Sequence, residues 1–202
     1  IKDWFSKRGR NLNDRQVQAL YKMFRKPDGT LPTADDFDQL FKNPGPKSVG
    51  EMQLVPGKAT PWGQSMTEPV LGPDGKQVFR SYDVKLEFSS FSIESDGSAM
   101  SVSMNVIGVP LHPPGHPRAG QPTGEPAVGI SSGSMDRSYT VKPDGVYVEH
   151  GYFVLNPRFQ GATVSMDGSG AKGEGIGAEV IKNQFAAYEQ LGVANVHVHG
   201  EW

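Results

Sequence analysis

Apolar residues recur at helical spacing over residues 13–24, at Val17, Leu20, Tyr21 and Phe24. One amphipathic helix is predicted there. Asn11 or Asn13 is placed to cap its start, and Pro27 bars its continuation. Pro27-Asp28-Gly29 predicts a turn. Thr33 then caps a second short helix over 34–41, with Phe37, Leu40 and Phe41 on one face. Residues 1–42 therefore read as a helical hairpin. An EF-hand is not expected there, because Phe24 and Lys26 stand where a calcium loop needs carboxylates.

Residues 42–76 keep no period and hold prolines at 44, 46, 56, 61, 69 and 73. They are predicted to form a linker or wrapping arm over 43–77, with Trp62 and Met66 as anchors.

From residue 78 the period becomes two. Val84, Leu86 and Phe88 alternate within 78–93, with Phe91 and Ile93 off phase. Ser95-Asp96-Gly97 predicts a hairpin turn, and 99–109 answers with Met100, Val102, Met104 and Val106 on one face. Residues 111–126 form a Pro/Gly loop. Residues 127–132 and 137–141 read as a bulged strand, Pro143-Asp144-Gly145 as a second hairpin turn, and 146–155 as a strong strand. A helix follows over 178–191, with Ile181, Phe185 and Tyr188 on one face and Val180, Ala187 and Leu191 beside it. Gly192 supplies a left-handed stop, and 195–199 is a final strand.

Just before that helix stands Lys172-Gly173-Glu174-Gly175-Ile176-Gly177. Glycines at a helix start let backbone N–H groups approach a phosphate, and the helix N-terminus favours negative charge. The G-x-G-x-G spacing is neither a Walker loop nor a dinucleotide fingerprint. On spacing alone, a diphosphate cradle and a purely structural loop both remain open.

The order of parts resembles the GNAT family of N-acetyltransferases, in which a strand, an Arg/Gln-x-x-Gly-x-Gly/Ala loop, a helix and a strand follow one another. Lys172-x-x-Gly175-x-Gly177 matches the loop, with Lys in place of Arg or Gln. The resemblance implies an α+β or α/β fold, with a GNAT-like mixed sheet over 78–202. It implies acyl-CoA-dependent N-acetyltransfer to an amine substrate. Acetyl-CoA would set its pyrophosphate on Lys172, Gly173, Gly175, Ile176, Gly177 and Ala178, and its thioester in a gap between strands 146–155 and 195–199. An amine must lose a proton before attacking a thioester. The resemblance puts that base on strand 146–155, at Glu149 or His150, with Glu149 preferred. Tyr147 shares the alternation of Glu149 and joins it as a catalytic candidate. Gly129-Ile130-Ser131-Ser132-Gly133 and Arg137 resemble the family's preceding strand, which carries substrate contacts.

Composition changes the picture in a few places. The net charge of −2 predicts no nucleic-acid partner, and no apolar run is long enough to span a membrane. There is no cysteine, so thiolate chemistry is excluded. Without a signal-peptide pattern the default compartment is cytoplasmic. Ile1 in place of Met, and an ending at a strand, predict a fragment or a processed product of a longer protein. The open edge of strand 195–199 is expected to be covered by the arm, through Trp62, Val70 and Leu71, by a second copy, by a protein partner, or by residues missing from this fragment.

His197 and His199 share a strand face with Glu201 in phase, but they are read as surface histidines, and no metal ligand set is expected. His112 and His116, in a Pro/Gly loop, are weaker candidates. No hydrolase is expected, since neither a nucleophile elbow nor a His/Asp set at useful spacing is read. The alternative to an acetyltransferase is a non-catalytic GNAT-like structural or docking module of a larger assembly, such as a virion or multidomain protein.

Overall fold

The computed structural model describes residues 1–59, 61, 63, 65–151, 156–159 and 175–199. Trp4 and Phe5 are buried by a short helix, α1 (Lys2–Ser6), too brief to leave a period in the sequence. In α2 (Asp14–Met23) the Asn13 side chain accepts the Gln16 N–H, while the Gln16 side chain accepts the Asn13 N–H. Thr33 and Asp36 make the same reciprocal cap on α3 (Ala34–Leu40). Such boxes satisfy N–H groups that a helix start leaves unpaired. The helices bury Leu20, Phe24, Phe37 and Leu40 completely. Each such side chain contributes roughly 1.5–3 kcal/mol by leaving water.

The fold is mixed α+β and mostly strands. Strands β1 (Gly45–Gly50), β4 (Phe79–Ile93), β5 (Ala99–Pro110), β7 (Met135–Lys142), β8 (Gly145–His150) and β9 (Val193–Val198) lie side by side in that order. A short β6 (Val128–Gly129) also pairs with β5. All these neighbours run antiparallel except β8 and β9, which are parallel and joined through helix α4 (Ile176–Gln190). Parallel neighbours need such a crossover. A separate hairpin pairs β2 (Met52–Ala59) with β3 (Ser65–Pro69).

The phase break expected within 78–93 is a bulge: the β4–β5 register shifts between Phe88 and Ser90. An extra residue turns the side chains after it to the other face. Arg10 donates to the carbonyls of Phe88 and Ser89 there, at 2.9 and 2.8 Å. The following turn passes close under α2. At Gly97, with φ of 73°, a Cβ would meet the Ala19 carbonyl oxygen at 2.8 Å, so only glycine fits.

The described residues of 43–77 form strands where an irregular segment was expected. Their β1 pairs with β4 over six residues, and Asn43 caps the next exposed amide by accepting from Leu86. Pro46 is compatible with this because β1 is an edge strand. Nor does the arm cover β9. It lies at the opposite edge of the sheet, Val70 bonds to Glu51 and Val78, and Leu71 bridges to Gln77. Trp62 lies outside the described residues. Among the described strands, β9 has β8 as its neighbour and a second edge without one.

Helices and sheet share one buried cluster that runs from Trp4 through Phe37, Val84, Met104 and Tyr139 to Leu191. The sheet curls around its helices: Lys47 of the edge strand β1 forms an ion pair with Glu179 in the first turn of α4. In α4 the buried residues are Ile176, Val180, Gln184, Ala187 and Tyr188. This corrects the expected face, since Ile181 and Phe185 are 36% and 42% exposed.

Candidate functional site

Strand β8 carries polar chemistry on both of its faces. The inner face lies under α4. There His150, 2% exposed, bonds through Nε2 to the Tyr188 hydroxyl at 2.8 Å. Beside it Arg137, also 2% exposed, donates from Nε to the Gln184 side-chain oxygen at 2.9 Å and from Nη1 to its neighbour's carbonyl at 2.7 Å. No carboxylate pairs with this guanidinium among the described residues. Burial, and then the Arg137 charge, push the His150 pKa down to about 3, so the imidazole is neutral. Burial pushes the Tyr139 phenol up to about 12 and holds Tyr188 well above the usual range. Among the described residues, His150 Nδ1, the Tyr139 hydroxyl and Gln184 Nε2 are buried without a hydrogen-bond partner. His150, one of the two residues considered as a base, therefore faces the helix layer and not an open cleft.

The outer face of the sheet is open. Ser101, Asn105, Asp136, Thr140 and Glu149 are exposed where the intervening residues are buried, as expected of a sheet with one face in water. At its β8–β9 end, Thr140, Lys142, Tyr147, Val148, Glu149, Asn195 and His197 line a shallow cleft of about 190 Å³. Both catalytic candidates, Glu149 and Tyr147, lie here. The Tyr147 hydroxyl donates to the Asp144 carboxylate at 2.6 Å, a bond that raises its pKa, and the Lys142 ammonium sits 4.1 Å from its ring centre. Tyr147 thus walls the cleft with its hydroxyl already engaged.

The parallel register sets Glu149 opposite His197. Alternation returns His199 to the same face. The ligand atoms of Glu149, His197 and His199 all lie within 4.8 Å of one another. The two histidines were legible as a pair in the sequence. The carboxylate between the strands was not, because it depends on the register of a crossover.

The expected gap between these two strands is absent over the described pairs. Tyr147 to His150 pair with Asn195 to Val198, and the His199 N–H reaches the His150 carbonyl at 3.2 Å. Residues 152–155 lie outside the described residues, as do Lys172 and Gly173 of the glycine loop. The described remainder leads into α4: Gly175 is left-handed, with φ of 61°, and offers no side-chain cap. The first intrahelical bond runs from the Glu179 N–H to the Gly175 carbonyl. The N–H groups of Ile176, Gly177 and Ala178 therefore have no partner within the helix.

Gly129-Ile130-Ser131-Ser132-Gly133 has Gly-x-Ser-x-Gly spacing, contrary to the expectation that none would be found. Its setting is not that of a nucleophile elbow, which joins a strand to a helix. It joins strand β6 to strand β7, and the Ser131 hydroxyl accepts the Val106 N–H at 3.2 Å.

Compared with known proteins, the chain matches no family model, no curated protein and no solved structure. No helix among the described residues is long and apolar enough to cross a membrane.

Proposed function

We propose that this chain is an acyl-CoA-dependent N-acetyltransferase module acting on an amine, built on the plan of the GNAT family that its sequence resembles. The observation that carries the reading is the β8–α4–β9 unit. Two parallel strands, paired continuously from Tyr147 to His150, are linked by a helix that a left-handed glycine opens, with three first-turn N–H groups left without intrahelical partners. In open α/β arrangements, ligands favour the carboxyl ends of parallel strands and the helix N-terminus beside them.

In this reading the pyrophosphate of acetyl-CoA would rest on the amides of Gly175, Ile176, Gly177 and Ala178; Lys172 and Gly173, which the resemblance also assigns to it, lie outside the described residues. Helix α4 covers the inner face, whereas Glu149 points outward. A ligand touching both therefore passes around the carboxyl ends of β8 and β9. Glu149 takes the proton of the acceptor ammonium. The amine nitrogen would then bond to the thioester carbonyl carbon and the C–S bond would break; the nitrogen would give its second proton to solvent, and the CoA thiolate would take one from solvent and leave as the thiol. Calorimetric titration with acetyl-CoA and with CoA tests the proposal. Saturable binding that Gly175→Asp abolishes and Glu149→Gln leaves unchanged is expected, because only the first puts a side chain and a negative charge against the phosphates. Absence of any binding would overturn it.

A second reading, a non-catalytic docking module of a larger assembly, is favoured by the β2–β3 hairpin. Leu54 is 61% exposed and Met66 41%, and Leu71 beside the hairpin is 61% exposed. Apolar residues held in water this way suit a surface that another chain covers.

A further inference from the structure

We propose that Glu149, His197 and His199 form a divalent-metal site of the zinc class on the open face of the β8–β9 seam. Three observations converge on it. The donor set is two imidazoles and one carboxylate, a combination that suits zinc and its neighbours among the divalent transition metals. The three donor atoms already lie within 4.8 Å of one another, and the two imidazole rings are 4.5 Å apart. Ligands of a tetrahedral zinc, each at 2.0–2.2 Å from the metal, stand about 3.4 Å apart, so small side-chain rotations close the site. The backbone sets the arrangement: parallel pairing fixes Glu149 against His197, and the two-residue period of β9 returns His199 to that face.

All three residues are exposed, so a bound ion would keep at least one position open to water. That position borders the cleft lined by Thr140, Tyr147 and Asn195, which gives a small ligand room beside the metal. The expected affinity is modest. Among the described residues no hydrogen bond holds either imidazole, and lost outer-shell support typically weakens metal binding about 10–100-fold. The site does not rest on the acyl-transfer reading. It competes with that reading for one group, since a Glu149 carboxylate on a metal is no longer a free base.

Calorimetric titration of this chain with Zn²⁺, in the absence of CoA, tests the site, with cobalt(II) absorption spectra as a second readout. One equivalent is expected to bind. Affinity should fall more than tenfold in His197→Ala and in His199→Ala, and about tenfold in Glu149→Gln. His112→Ala/His116→Ala should bind as the parent does, although those two rings stack 4.1 Å apart and form the competing histidine pair. Imidazole NMR of the unaltered chain needs no variant: Zn²⁺ should shift His197 and His199 and leave His112, His116 and His150 in place. Absence of saturable binding, shifts confined to the other histidines, or unchanged affinity in a folded His197→Ala/His199→Ala variant would overturn the assignment.

Discussion

Residues 149 and 150 are neighbours in one strand, yet they belong to two different kinds of polar cluster. His150 faces inward with Arg137, Gln184, Tyr139 and Tyr188, closed off by α4. Glu149 faces outward with Tyr147, His197 and His199, open to water. Inside, polar atoms are constrained by burial, and several have no partner among the described residues. Each such atom weighs against stability, and the cluster persists because the packing around it holds. Outside, the side chains bear little of the fold and are free to meet a ligand. The inner cluster therefore reads as structure and the outer one as the working surface.

The strongest way to break that contrast is to cut into the inner cluster. Tyr188→Ala removes a buried ring and leaves His150 Nε2 without its partner. By comparison with other aromatic truncations in cores, it should cost about 3–5 kcal/mol in urea unfolding. A loss below about 1 kcal/mol would mean that the cluster is not a packed element.

Acid titration probes the same face. His150 binds its proton near pH 3 in the folded chain, against an ordinary value of 6.5 when unfolded. Between those values the unfolded state holds the extra proton, so stability rises with pH there. The contribution of His150 is complete above about pH 6.5 and is lost as pH falls toward 3. Unfolding midpoints measured from pH 7 to 4.5 should decline, and His150→Gln should flatten the decline. His112 shifts in the same direction, so the difference between parent and variant, not the slope alone, isolates His150.

Helix α4 sharpens the contrast between faces. Val180→Ala should cost on the order of 2 kcal/mol as a buried deletion. Ile181→Ala, one residue later, should cost about 0.5 kcal/mol. Equal losses would place the helix in a different rotation. The smallest effect is expected outside: Glu149→Gln should change stability by no more than about 0.5 kcal/mol while slowing acetyl transfer.

Much of this fold was legible in the sequence, because its signals are local. The Asn13 and Thr33 caps, the alternation of Met100 to Val106, and the turns at Gly97 and Gly145 all need only near neighbours. What escaped was set at a distance. The bulge at Ser89 is held by Arg10, far upstream in the chain. Strand β1 has almost no apolar alternation and is a strand because β4 offers it an edge. On α4, the apolar Ile181 and Phe185 suggested the buried face, whereas the polar Gln184 occupies it, held by Arg137. At the candidate site, Glu149 was named through the family resemblance, and Tyr147 because it shares the strand phase of Glu149. The meeting of Glu149 with His197 and His199 required the crossover register. The acyl-CoA reading itself came from the order of parts and the glycine loop.

In the proposed function, the outer β8–β9 seam and the start of α4 form one ligand surface. Backbone amide NMR during an acetyl-CoA titration addresses it most directly. Saturable shifts are expected at Gly175, Ile176, Gly177 and Ala178, together with Tyr147, Glu149 and His197, with the β2–β3 hairpin undisturbed. A spectrum that acetyl-CoA leaves unchanged, or one whose shifts gather on the hairpin, would contradict it.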